Sequence, residues 1–189
     1  MADLDATAPH HGVDLAATFD EHMRDEFVLH DAEATMRTMV AEPYVNHVPT
    51  MTGGVGRAAV YRFYKYHFIP KWPADTRVVP VSRTVGTEQV VDEIVLSFTH
   101  DIEMDTVLPG IPPTGRYVEI PAVVVVRFEG GKVAHEHIYW DQASVLVQIG
   151  LLDPRGLPVT GVEQARKVRD PSQAANFLMP RWAESGPTA

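Results

Sequence analysis

RYVEIPAVVVVRFEGGKVAHEHIYWD, residues 116–141, decides the architecture. It holds two runs of period-two alternation, over 116–128 and 132–140, which read as strands. Glu129-Gly130-Gly131-Lys132 between them is a hairpin turn, so the two strands are antiparallel. Ala122 to Val126 is apolar at every position, so that strand offers one face to a core and the other to a second packing partner. In the next strand His135, His137, Tyr139 and, if the strand persists, Asp141 share one face; Glu136, Ile138 and Trp140 share the other. Four polar groups in register suit the wall of a site better than a packed core.

Working outward, alternation predicts two further strands at 76–85 and 88–101. Gly86 lies in the turn between them, and the Pro- and Gly-rich connection 104–115 is irregular. Before the sheet come helices. Leu15, Phe19, Met23 and Phe27 recur every fourth residue and predict a helix over 14–29, which leaves His22 and His30 on or beside its solvent side. Asp31 caps a second helix, 32–41, stopped by Pro43; Tyr44 to Val48 is extended. Gly53, Gly54 and Gly56 mark a turn before a third helix, 57–68, with Val60, Phe63, Tyr64 and His67 as its inward stripe. A closing helix follows Trp140 and ends at Gly150. The expected divisions are a disordered start, 1–13, one domain, 14–152, and a proline-containing extension, 153–189, with a short helix near 162–169. Helices grouped against an antiparallel meander give an α+β layer fold. A strongly bent sheet wrapped around a helix leaves a cone with an open mouth, a natural small-molecule site.

Composition narrows the chemistry. The 189 residues suit a single domain. A net charge of -9 with no long basic run argues against nucleic acid and anionic membranes as partners. No stretch reaches the roughly 18 apolar residues of a spanning helix. Residues 1–13 lack the basic start and apolar run of a secretory signal, so a cytoplasmic location is expected. With no cysteine, thiolate nucleophiles, disulfides and zinc fingers are excluded. Ser82, Ser97, Ser144, Ser172 and Ser185 all lack the flanking glycines of a nucleophile elbow. Gly53-Gly54-Val55-Gly56 follows no long strand, so it is a weak nucleotide signal.

Nine histidines remain. His10 and His11 fall in the frayed start. His47, His67, His100, His135 and His137 lie on elements able to surround one cavity. His67 and His100, on apolar faces, read either as satisfied core histidines or as cavity residues. His135-x-His137 is a short metal-ligand pattern, but the following segment reads as helix rather than as a further strand. General acid–base catalysis without a cofactor needs only a carboxylate or imidazole whose pKa an apolar pocket moves towards neutrality.

Several stretches together resemble the SnoaL-like polyketide cyclases of the nuclear transport factor 2-like superfamily. These are Tyr44 to Pro49, Phe98-Thr99-His100, Gly110-Ile111-Pro112-Pro113-Thr114-Gly115, and Gly131 through Asp141 with Gln148-Ile149-Gly150-Leu151. The resemblance covers about 14–152 and implies a conical α+β barrel: a strongly curved antiparallel or mixed sheet around N-terminal helices. It also implies an apolar pocket and often a dimer across the sheet's outer face. It makes Asp141 the acid–base candidate and turns His47 and His100 towards the pocket. His137, where the family commonly has tryptophan, and the tail after 152 are this sequence's own features.

The reading is therefore a small-molecule enzyme of aldol cyclase, isomerase or lyase type, acting without metal or other cofactor on a small apolar carbonyl or polyketide-like compound, and a homodimer. Asp141 is the expected acid–base, with His100 or His137 orienting it or stabilising an enolate. His47, Tyr64, His67, His135 and Tyr139 are the expected binding residues. The alternatives are a non-catalytic binder, a metal-dependent enzyme using His135 and His137, and a dimerisation module with histidines in its interface.

Overall fold

The computed structural model describes residues 12–186. His10 and His11, expected in a frayed start, lie outside them. The order is α1 (Leu15–Phe27), α2 (Ala32–Arg37), β1 (Met39–His47), β2 (Thr52–Val55), α3 (Arg57–Phe63), β3 (Arg77–Val85), β4 (Gln89–Thr99), β5 (Tyr117–Glu129), β6 (Lys132–Trp140), α4 (Gln142–Gln148) and α5 (Glu163–Arg169). The six strands form one curved, open, mixed sheet in the order β2-β1-β6-β5-β4-β3. The pair β1–β6 is parallel and every other pair antiparallel. Register shifts at Met39/Tyr44, Pro80/Ser82 and Arg127/Phe128 are bulge-like and add twist to the bend. The fold class is α+β, as the alternation predicted. No helix is long and apolar enough to cross a membrane among the described residues.

Asp14 and Asp31 cap α1 and α2 through side-chain oxygens that accept backbone N–H groups. The second helix is shorter than the expected 32–41. The helix ends at Thr38 and the strand begins at Met39, because Thr38 O accepts from Val133 N and Met39 pairs with Val133 in β6. A tertiary ladder thus outweighs local helix preference. The Gly53–Gly54 stretch, expected as a turn, is strand β2. A Cβ on Gly53 would stand 2.0 Å from Val45 O, so only glycine lets this edge close on β1.

The third helix continues past α3 through a π turn, Tyr64–Phe68, and a 3₁₀ turn, Ile69–Lys71. The wider turn changes the inward stripe. Val60, Phe63, Tyr64 and Phe68 are buried, while the expected fourth member, His67, turns outward.

On β5, Val118, Ile120, Ala122, Val124, Val126 and Phe128 form the buried inner face. Fully burying such side chains contributes about 1.5–3 kcal/mol each for the larger ones, which sets the sheet's polarity. The tail packs on the domain through α5, which lies against β5. Ala165 is fully buried, Ser144 Oγ donates to Gly161 O, and Arg169 pairs with Glu119.

Candidate functional site

The cone encloses a cavity of ≈ 60 Å³. Most of its wall is apolar, from Phe19 and Phe27 on α1 to Ile94, Leu96, Ile120, Val124 and Trp140 on the sheet. Four polar side chains interrupt it: Glu26, His47, Tyr64 and Glu136. Each comes from a different element. Glu26 is on the last turn of α1, His47 ends β1, Tyr64 opens the π turn, and Glu136 is on β6.

His22, one turn before Glu26, ties the carboxylates together. Its Nδ1 is 2.6 Å from Thr38 Oγ1, whose own hydroxyl donates to Thr35 O. Nδ1–H is therefore the donor, and Nε2 faces the carboxylates. Nε2 lies 3.0 Å from Glu136 Oε1 and 3.0 Å from Glu26 Oε1. Tyr64 OH donates to Glu136 Oε2 at 2.9 Å. Glu26 Oε1 is buried yet outside hydrogen-bonding geometry.

Burial alone disfavours every charge here, but the neighbours divide the protons unequally. His22 is pulled down by desolvation, yet Glu136 and Glu26 hold it well above its ordinary value. Glu136 is pushed up by burial, but His22 and the Tyr64 hydroxyl bring it below the usual range. For Glu26 burial wins over His22, and the carboxyl is held up. Burial, reinforced by the carboxylates, raises the Tyr64 phenol. The shifts therefore diverge: protons are held more tightly on His22 and Glu26 and less tightly on Glu136. Burial lowers His47 to about 4, so it is neutral; its Nδ1 donates to Thr52 O at 3.3 Å.

Of the residues expected from sequence, His47 and Tyr64 line this cavity. Asp141 is instead the N-cap of α4: Oδ1 accepts from Ala143 N at 2.9 Å and Ser144 N at 3.3 Å, and Oδ2 accepts from Gln164. His100 is buried in the second part of the core, with Nδ1 3.1 Å from Thr114 Oγ1 and Nε2 unpartnered. His67 stands at the surface, 2.8 Å from Asp105. His135, His137 and Tyr139 lie on the outer face of the sheet. The two imidazoles stack at 4.6 Å, and Tyr44 packs edge-on to His137. Burial and the neighbouring His137 lower His135.

The expected polar wall of β6 is thus the outside. Glu136, Ile138 and Trp140 face the cavity, because Glu136 pairs in register with Val126 and Ile138 with Val124 on the inner face of β5. His22, expected near solvent, is fully buried. The signal was present in the helix. Leu15, Phe19, His22, Met23, Glu26 and Phe27 form one continuous stripe at helical spacing, with the His-x-x-x-Glu pair inside it.

Comparison with known proteins agrees with this architecture. A search of curated proteins finds none that matches. A putative SnoaL-like polyketide cyclase from Jannaschia sp. CCS1 superposes with a TM-score of 0.57 at 20% identity, over 73% of this chain and 94% of that one. AclR, a putative hydroxylase from Streptomyces galilaeus, gives 0.56 at 19% identity over 74% and 86%. The epoxide hydrolase/cyclase-like enzyme SalBIII, with a role in pyran ring formation in salinomycin, gives 0.50 at 17% over 67% and 90%. These likenesses concern the fold. The SnoaL-like domain matches residues 19–136, from the cavity-lining Phe19 to Glu136 itself. With more than half its length matched, the chain belongs to the SnoaL-like domain family.

Proposed function

We propose that this chain is an acid–base enzyme, needing no cofactor, that acts on a small, largely apolar carbonyl compound held in the cone. One observation carries the reading: two buried carboxyl groups, shifted by their neighbours in opposite directions, open into the same apolar cavity. Ionised Glu136 is the base that takes a proton from the carbon next to the substrate carbonyl. Protonated Glu26 and the Tyr64 hydroxyl are donors for the enolate oxygen as charge develops there. The proton on Glu136 then returns to another carbon (isomerisation) or to the alkoxide formed when the enolate carbon attacks a second carbonyl (aldol closure). His22 touches no substrate; it holds the two carboxyl groups apart in charge. Asp141, with both oxygens engaged away from the cavity, keeps a capping role in this reading.

Deuterium incorporation into butanone in D₂O, followed by proton NMR, tests the assignment. The expected result is exchange above the buffer rate, at least 100-fold slower in Glu136→Gln and unchanged in Asp141→Asn. Equal rates for Glu136→Gln and wild type overturn it.

A second reading has its own observation. His22, Glu26 and Glu136 offer three ligand atoms all within 4.8 Å of one another, and Thr38 fixes the imidazole as second-shell partners fix metal-bound histidines. A divalent cation there would be held by the His22 imidazole and the two carboxylates and would supply a Lewis acid. The His135/His137 pair gathers no third His or carboxylate ligand among the described residues. Elemental analysis of purified protein separates the two: a near-stoichiometric metal favours this reading, and none favours the first. The outer sheet face, where Val79, Val81, Val123 and Tyr139 are exposed, supports the homodimer, which light scattering tests.

A further inference from the structure

The cavity of the cone is small. Its ≈ 60 Å³ is well below the roughly 300–1,000 Å³ of a typical ligand pocket. A carbonyl compound confined there has only a few heavy atoms. Beyond one wall lies a much larger depression of ≈ 700 Å³, open to solvent and lined chiefly by the turn after the 3₁₀ segment and by the start of β3.

Phe27, Trp72 and Val78 line both spaces and so form the partition between them. The partition is aromatic and edge-packed. Trp72 meets Phe68 at 5.5 Å and Phe98 at 6.2 Å, both near-perpendicular, and lies tilted against Phe27 at 5.7 Å. Edge-to-face contacts are a preferred aromatic geometry, so these rings make a defined apolar wall shared by the two spaces. Two buried polar atoms on this wall have no hydrogen-bond partner: Trp72 Nε1 and, in the depression, Thr76 Oγ1. Buried donors are usually satisfied by protein or water, so an orphan beside a pocket marks a place where an acceptor from outside the chain can bind. Elsewhere the depression is apolar, with Ile69, Pro70, Pro73 and Ile102, and carries His30 and Asp101 among its lining.

We infer that the substrate is elongated. A compact carbonyl head enters the cone and meets Glu136, while an aliphatic body passes between Phe27 and Trp72 and lies in the outer depression. Trp72 Nε1–H and the Thr76 hydroxyl donate to an oxygen borne on that body. The class is a medium-chain aliphatic compound with a terminal carbonyl unit and a second oxygen several carbons away. This rests on the cone being the ligand site.

Ligand-observed NMR titration with butanone, 2-undecanone and undecane-2,6-dione tests it. Wild type is expected to bind 2-undecanone at least tenfold more tightly than butanone, and the dione more tightly still. Ala74→Trp fills the exposed depression without touching the cone. It is expected to remove the gain from chain length while butanone binding and exchange stay unchanged, and Ile102→Trp should do the same. Trp72→Phe keeps a ring but lacks the N–H, and should erase severalfold of the dione's advantage over 2-undecanone. No gain with length, or a gain that survives both filling variants, overturns the inference. If butanone neither binds nor exchanges, the cone reading itself fails; butanone binding with no gain for 2-undecanone sinks the elongated substrate alone.

Discussion

The two faces of β6 carry the same residue types to opposite ends. Inside, Glu136 meets His22, Glu26 and Tyr64 away from the surface. Outside, His135 and His137 stack on each other half-buried, beside an exposed Tyr139. A buried carboxylate survives only with a cation and hydrogen bonds around it; a partly wet imidazole needs neither. The inner cluster is therefore a single interdependent unit, whereas the outer pair is a half-buried stack of two imidazoles with Tyr44 packed on its edge.

The comparison breaks most sharply at His22. His22→Ala leaves Glu136 buried without its cation and should cost about 3–5 kcal/mol of unfolding free energy, read from urea melts. A loss under 1 kcal/mol would mean the cluster is not held by charge.

Next comes pH. His47 has its folded pKa lowered to about 4 from 6.5, so the unfolded chain takes the proton first as pH falls. Its contribution is complete above pH 6.5 and is lost towards pH 4, about 3 kcal/mol in all at 1.36 kcal/mol per unit. His47→Gln should flatten that acid limb. His22 runs the other way: its folded pKa is raised, so its stabilisation is present below 6.5 and fades as pH climbs through the raised value. Glu136, with a lowered pKa, contributes above 4.5 and loses its share as pH falls through its folded value. The inner cluster is thus strongest between these limits.

Tyr64→Phe removes one hydrogen bond to a charged acceptor and should cost about 1.5–3 kcal/mol, with α-proton exchange slowed as well. Asp141→Ala should cost about 1 kcal/mol as a lost cap and leave exchange intact. Smallest of all, His135→Ala and His137→Ala should each stay within about 0.5 kcal/mol in the monomer. A larger loss there that depends on protein concentration would place the pair in a subunit interface.

Much of the fold was legible. The hairpin of β5 and β6 lies within a residue of its expected limits, because an all-apolar strand followed by Gly130-Gly131 has few other solutions. The α2–β1 boundary was not legible, since the chain leaves the helix at Thr38 and Met39 becomes strand only through Val133 in a distant strand. In the cavity, His47 and Tyr64 stand among the lining residues, whereas the sequence reading puts His22 near solvent and Glu136 on the face away from the polar wall, and does not single out Glu26.

The amino-acid sequence by itself determined the β3–β6 meander, its alternation, the presence of the flanking helices and the absence of thiol chemistry. Period-two alternation establishes that the two faces of a strand differ, yet it is symmetric and cannot name the inner one. Only the tertiary structure decided that. Packing α1 across the sheet brings the cation of His22 to Glu136, and that pairing makes it tolerable for a carboxylate, rather than two histidines, to face the apolar interior.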